Sequence, residues 1–116
     1  MNDPECLFCK VVAGQIPAEI VHETDDVIAF RDISPQAPTH VLIIPREHLP
    51  SLDSCSDEHV GVLGRILTVA RDIARTEGIA ADGYRTVMNT GGDGGQTVGH
   101  VHLHLLGGRA LRWPPG

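Results

Sequence analysis

Gly94-Gly95-Gln96-Thr97-Val98-Gly99-His100-Val101-His102-Leu103-His104-Leu105 passes from a glycine-rich segment straight into an alternation of histidine and aliphatic residues. The alternation has period two. Residues 101–106 read as a strand, and in an extended chain from His100 onward the three imidazoles share one face, while Val101, Leu103 and Leu105 share the other. Three histidines on one strand face can bind a metal, form a polar sheet surface, or act on a phosphate, because imidazole can serve as nucleophile, donor or acid near neutral pH. Just upstream, Gly91, Gly92, Gly94 and Gly95 let backbone amides approach a phosphate closely, and Asn89, Gln96 and Thr97 add two carboxamides and a hydroxyl.

Working outward, 84–88 reads as a second strand. Val41-Leu42-Ile43-Ile44 is a continuous apolar run between Pro38 and Pro45, expected as a buried strand beginning near His40. Ser34-Pro35-Gln36-Ala37-Pro38 cannot lie in a central strand, because its prolines lack the ladder donor. Residues 19–22 and 27–31 read as a hairpin around the turn residues 23–26. A short helix fits 6–13, ended by Gly14 and Pro17.

A long helix fits 57–77, with Ser56 as N-cap, Gly78 as terminator and an apolar stripe of Val60, Leu63, Ile66, Leu67, Ala70, Ile73 and Ala74. Gly61 and Gly64 fall inside it at roughly 1 kcal/mol each relative to alanine. Close helix packing is expected in return, with a dimer interface as one place for it.

The 116 residues are enough for one core and point to a single domain over 1–116, a small sheet covered by a helix. Nine basic against fifteen acidic residues, a net charge of −6, argue against nucleic-acid polymers and anionic membranes as partners, so an anionic ligand must be captured locally. The polar N-terminal residues, the lack of an 18-residue apolar run and the odd count of three cysteines argue against export and membrane insertion. The expected location is the cytoplasm.

The segment Gly94 to His104, together with Asp32-Ile33-Ser34-Pro35-Gln36-Ala37-Pro38-Thr39-His40, Gly107-Gly108-Arg109 and Trp113-Pro114-Pro115-Gly116, resembles the histidine triad (HIT) family, and within it the Hint branch of nucleoside phosphoramidases. The resemblance spans essentially the whole chain. It implies an α+β fold, a five-stranded antiparallel sheet with one short and one long helix, whose sheets join across a homodimer. It also implies a purine nucleoside monophosphate of AMP or GMP type as ligand, and hydrolysis of a P–N or related phosphate bond with no metal in the chemical step.

By the same resemblance His102 attacks the α-phosphorus to give a nucleotidyl-imidazole intermediate, His104 and His40 contact the phosphate, and Asn89 and Thr97 stand beside the scissile bond. Asp32 accepts from the ribose hydroxyls, a two-acceptor match for a vicinal diol. Ile33 and Phe30 pack on the base, and Gln96 belongs to the phosphate-binding loop. Thr97 stands where serine is common in the family, and Gly99 where a larger residue is common.

Cys6-x-x-Cys9 is the spacing of a metal pair or a redox disulfide, and no thioredoxin-like βαβ unit accompanies it. Two ordinary cysteines in a partly buried helix is the plain alternative. The resemblance adds His48 and His100, making a structural zinc site of Cys6, Cys9, His48 and His100.

His22 and His59 read as ordinary surface or hydrogen-bonded histidines, Cys55 as an incidental thiol, and Asp32 also suits a plain turn before Ser34-Pro35. Two rival functions stay open. One is hydrolysis of dinucleoside polyphosphates, as in a neighbouring HIT branch. The other is a nucleotide-responsive regulatory module in which hydrolysis is incidental.

Overall fold

The computed structural model describes residues 2–116. Strands β1 (Ile20–Glu23), β2 (Val27–Arg31), β3 (Thr39–Pro45), β4 (Tyr84–Val87) and β5 (Leu103–Gly107) form one sheet in the order β1-β2-β3-β5-β4, with every neighbouring pair antiparallel. Helix α1 (Leu7–Val12) precedes the sheet, and α2 (Val60–Thr76) crosses between β3 and β4. β3 lies in the middle and is buried at all seven positions, as its unbroken apolar run demands.

Alternate side chains leave the sheet on opposite faces. Val27, Ala29, Val41, Ile43, Leu103 and Leu105 meet Ile66, Val69, Ala70, Ile73 and Ala74 of α2 in one core. Ile28, Phe30, Leu42 and Ile44 meet Phe8 and Val11 of α1 in a second, smaller one. Arg31 on β2 is clamped to Glu77, the residue capping α2, by Nη1–Oε1 and Nη2–Oε2 bonds of 2.6 and 3.1 Å.

Three expectations are corrected. The last strand begins at Leu103, opposite Ile43, rather than at Val101. Opposite Val101 stands Pro45, the last residue of β3 and one without an N–H, and the Val101 amide donates instead to the Leu49 carbonyl at 2.7 Å. The Pro45 carbonyl is taken by the His100 ring at 2.8 Å. The period-two reading survives all the same, with Val101 buried beside Leu103 and Leu105 in the α2 core.

The long helix begins three residues later than expected, because 57–59 form a single 3-10 turn. Ser56 caps that turn, its hydroxyl accepting from the Glu58 amide and its amide donating to His59 Nδ1. The helix ends where Gly78 takes φ +76°, a left-handed conformation that costs glycine little.

The stripe is also rotated. Val69 is buried, whereas Val60 and Leu67 are 68% and 54% exposed. A Cβ placed on Gly61 or Gly64 meets nothing within 4 Å, so neither glycine serves a close contact inside the chain.

Candidate active site

The three histidines of the alternation are divided between two sites by their ring nitrogens. His102 is 4% exposed, and its Nδ1 lies 2.8 Å from the carbonyl oxygen of His100. A carbonyl only accepts, so Nδ1 carries the proton and Nε2 keeps its lone pair. No buried side-chain nitrogen among the described residues lacks a partner, and Nε2 has none, so Nε2 opens to solvent. The edge of Phe8 packs against this ring at a centroid distance of 5.1 Å and an interplanar angle of 81°, holding it from the α1 side.

His104 pairs opposite Leu42 on β3, which brings His40, two residues along, within reach. His40 Nε2 lies 3.0 Å from His104 Nδ1 and 3.4 Å from an Asp32 carboxylate oxygen. The Gln36 amide donates to His40 Nδ1 at 3.0 Å, so His40 carries its proton on Nε2 and donates it to His104 Nδ1. His104 must then carry its own proton on Nε2, the nitrogen without a partner among the described residues. Burial is the main cause lowering the pKa of both rings; Asp32 opposes it at both, and at His104 the neighbouring His102 and His40 add to the lowering. Both are therefore neutral at pH 7.

His102 and His104 open onto a cavity of about 250 Å³ whose walls include Phe30, Asp32, Ile33, Thr97 and Val98. The Ile33 side chain stands 99% exposed at its lip, whereas Phe30 is buried at its floor. Sequence reasoning missed the wall built by Phe8, Val11 and Ile16 from α1 and the segment after it. Nothing in the periodicity of so short a helix announces which surface it covers.

Asn89 and Gln96 do not line the cavity. The Asn89 amide donates to the Gly94 carbonyl at 2.6 Å, and Gln96 bridges the Pro50 and Val98 carbonyls while accepting from the Gly91 amide. Both side chains hold the glycine loop in shape. Gly94 is obligatory there, since a Cβ would collide with the Thr90 backbone.

His100 is fully buried on the far side of His102, in a cluster with Cys6, Cys9 and His48 whose ligand atoms all lie within 4.8 Å of one another. Cys6 Sγ–His100 Nδ1, Cys9 Sγ–His48 Nδ1 and Cys9 Sγ–His100 Nδ1 measure 3.4, 3.3 and 3.6 Å, and the two Nδ1 atoms are 3.2 Å apart. A tetrahedron with Zn–S and Zn–N bonds of about 2.3 and 2.0 Å has edges of about 3.5 and 3.3 Å. His100 Nε2 donates to the Pro45 carbonyl, leaving the Nδ1 lone pair aimed into the cluster. The donor set and its geometry fit zinc.

Asp32, His40 and His104 also converge closely enough to resemble a metal site. Their tautomers speak against it. A metal on His40 Nε2 would force a proton onto Nδ1, against the Gln36 N–H.

A family model described as the HIT domain matches residues 13–111. The chain is 57% identical over 107 residues to the purine nucleoside phosphoramidase of Escherichia coli K12, covering 92% of this chain and 90% of that protein. It is 48% identical to a 14 kDa zinc-binding protein of Zea mays, over all of this chain and 91% of the relative. Its fold matches a HIT family hydrolase from Legionella pneumophila with a TM-score of 0.94 and 51% identity, across 97% of this chain and all of that one. The five-stranded antiparallel sheet, the histidine run at the start of its fifth strand and a match over most of the length lead to one assignment: this chain belongs to the HIT family.

Proposed function

We propose that the protein hydrolyses purine nucleoside 5′-monophosphoramidates through a nucleotidyl intermediate on His102. One observation carries the reading: the His102 ring has its Nδ1–H committed to the His100 carbonyl and its Nε2 lone pair free beside a largely apolar cavity. The relationship to a purine nucleoside phosphoramidase supports the substrate class. The base sits between Phe30 and Ile33, the ribose hydroxyls reach the Asp32 carboxylate, and the α-phosphate rests on His104 Nε2–H and the Thr97 hydroxyl. Asn89 and Gln96 contribute by fixing the loop behind it.

His102 Nε2 forms a bond to phosphorus as the P–N bond to the leaving amine breaks. The electron pair passes to the amine, which takes a proton from solvent. The resulting imidazolium is stabilised by its Nδ1–H bond to the His100 carbonyl. Water then attacks phosphorus, the pair returns to His102 Nε2, and the proton that water loses replaces the one taken up.

Cys6, Cys9, His48 and His100 hold a structural zinc ion, which ties α1 to the sheet and fixes the residue whose carbonyl orients His102. The relationship to a zinc-binding protein supports this set. The functional unit is a single domain over 1–116 acting in the cytoplasm as a homodimer. Sheets join along the free edge of β4, and the exposed Val60 and Leu67 with Gly61 and Gly64 pack against the partner's helix.

The reading is tested by comparing kcat/KM for adenosine 5′-phosphoramidate and a diadenosine polyphosphate, with AMP binding measured in parallel. Preference for the phosphoramidate is expected. Preference for the polyphosphate overturns the substrate class, and binding without turnover of either makes the protein a nucleotide-responsive module.

A further inference from the structure

Arg109 follows the triad strand directly, and its side chain does not line the nucleotide cavity. Its Nε donates to the Gln36 carbonyl at 2.9 Å. The Gln36 amide, on the other side of the same Cα, donates to His40 Nδ1, and His40 Nε2 meets His104 Nδ1. The loop is braced independently by the Ser34 amide on Asp32 and the Asp32 amide on the His40 carbonyl, at 2.8 and 3.0 Å. The Gln36 main chain itself is held by Arg109, two residues past the end of β5.

We propose that Arg109 is a positioning residue that, by holding Gln36, decides which nitrogen of His104 carries the proton facing the phosphate. The proposal rests on the phosphoramidase reading for its kinetic consequence only. With the Gln36 N–H on His40 Nδ1, His40 is a donor to His104, and His104 presents Nε2–H to the cavity. Were that amide to swing away, His40 would be free to carry its proton on Nδ1 and turn a lone pair toward His104. His104 would then carry its proton on Nδ1 and show a lone pair to the phosphate oxygens, replacing a hydrogen bond with repulsion. A main-chain donor outside the cavity thus sets the polarity of the row together with the Asp32 carboxylate, 3.4 Å from His40 Nε2.

The test is the imidazole nitrogen spectrum of uniformly ¹⁵N-labelled, zinc-loaded protein, which separates the two tautomers of His104 without substrate. Wild type is expected to carry the His104 proton on Nε2. Arg109→Ala is expected to populate the Nδ1–H form and to lower kcat about tenfold with KM within about twofold, against a hundredfold or more for deleting a phosphate donor outright. Arg109→Lys, which can still donate to the Gln36 carbonyl, is expected to restore the wild-type spectrum and most of the rate.

An Nδ1–H form in wild type overturns the proposal. So does an Arg109→Ala protein whose His104 spectrum is unchanged, even if kcat and thermal stability both fall, because such a loss is only structural. Wild type showing the expected tautomer without phosphoramidate turnover would sink the function and leave the hydrogen-bonded row standing.

Discussion

His100 serves two sites at once: its ring Nδ1 stands 3.4 Å from Cys6 Sγ and 3.2 Å from His48 Nδ1, while its carbonyl oxygen holds the His102 ring at 2.8 Å. Whatever fixes the ring fixes the carbonyl. The Cys6, Cys9, His48 and His100 cluster and the His102 ring are therefore coupled through one residue.

Metal analysis of the purified protein should give close to one zinc per chain, and Cys9→Ser should abolish it. The variant should unfold at least about 5 °C lower, because binding energy at such a site is folding energy. Its kcat should fall more than its affinity for AMP, since the His102 tautomer loses its anchor while the cavity stays. Wild-type stability unaffected by strong chelation would refute the structural role.

The clamp between Arg31 and Glu77 gives a stability prediction with a definite sign. Hydrogen bonding to Arg31 holds the Glu77 carboxyl below its usual pKa, so its contribution is present above the ordinary carboxylate range and lost as pH falls through the depressed folded value. Glu77→Gln should cost roughly 1 kcal/mol near neutrality. In urea unfolding the gap between variant and wild type should close in acid, and a gap that persists there would mean packing rather than charge.

Burial lowers the pKa of His40 and His104, so the part of the acid limb that comes from protonating these two rings should lie below the ordinary imidazole value of about 6.5. Asp32 raises both. Asp32→Asn should therefore shift that limb to still lower pH, while KM for the nucleoside substrate rises by roughly tenfold as a ribose contact is lost. A limb that moves upward would contradict the arrangement of Asp32 beside His40.

For the 12.4 kDa chain, sedimentation should report a dimer of about twice that mass. Leu67→Glu puts a charge at the C-terminal end of the exposed apolar stretch on α2 and should yield monomers. Wild type that sediments as a monomer would leave Val60, Leu67 and the two bare glycines without a partner.

The period-two run at 100–105 and the apolar run at 41–44 made the sheet legible, because each pattern reports directly on which faces are buried. The first run put His102 and His104 on one face, whereas His40 joined them only through the resemblance to the family. What periodicity does not carry is where a ladder stops. That depended on Pro45 giving its carbonyl to a histidine ring, a contact spanning 55 residues.

The cap at Ser56 was visible, but a serine followed by acids starts a 3-10 turn as readily as a helix. Asn89 and Gln96 were correctly placed in the loop, yet a carboxamide serves a ligand or its own backbone equally well in sequence. Only the folded chain shows them bonded to the Gly94, Pro50 and Val98 carbonyls.

The central claim concerns one nitrogen, His102 Nε2. A steady-state assay with a fluorogenic adenosine 5′-phosphoramidate, run on wild type and His102→Ala with mass spectrometry of acid-quenched protein, addresses it directly. The account predicts turnover by wild type with an adenylyl adduct on His102, and a loss of at least about a thousandfold in the variant with AMP binding retained. Comparable turnover by His102→Ala, or an adduct on another residue, would contradict it.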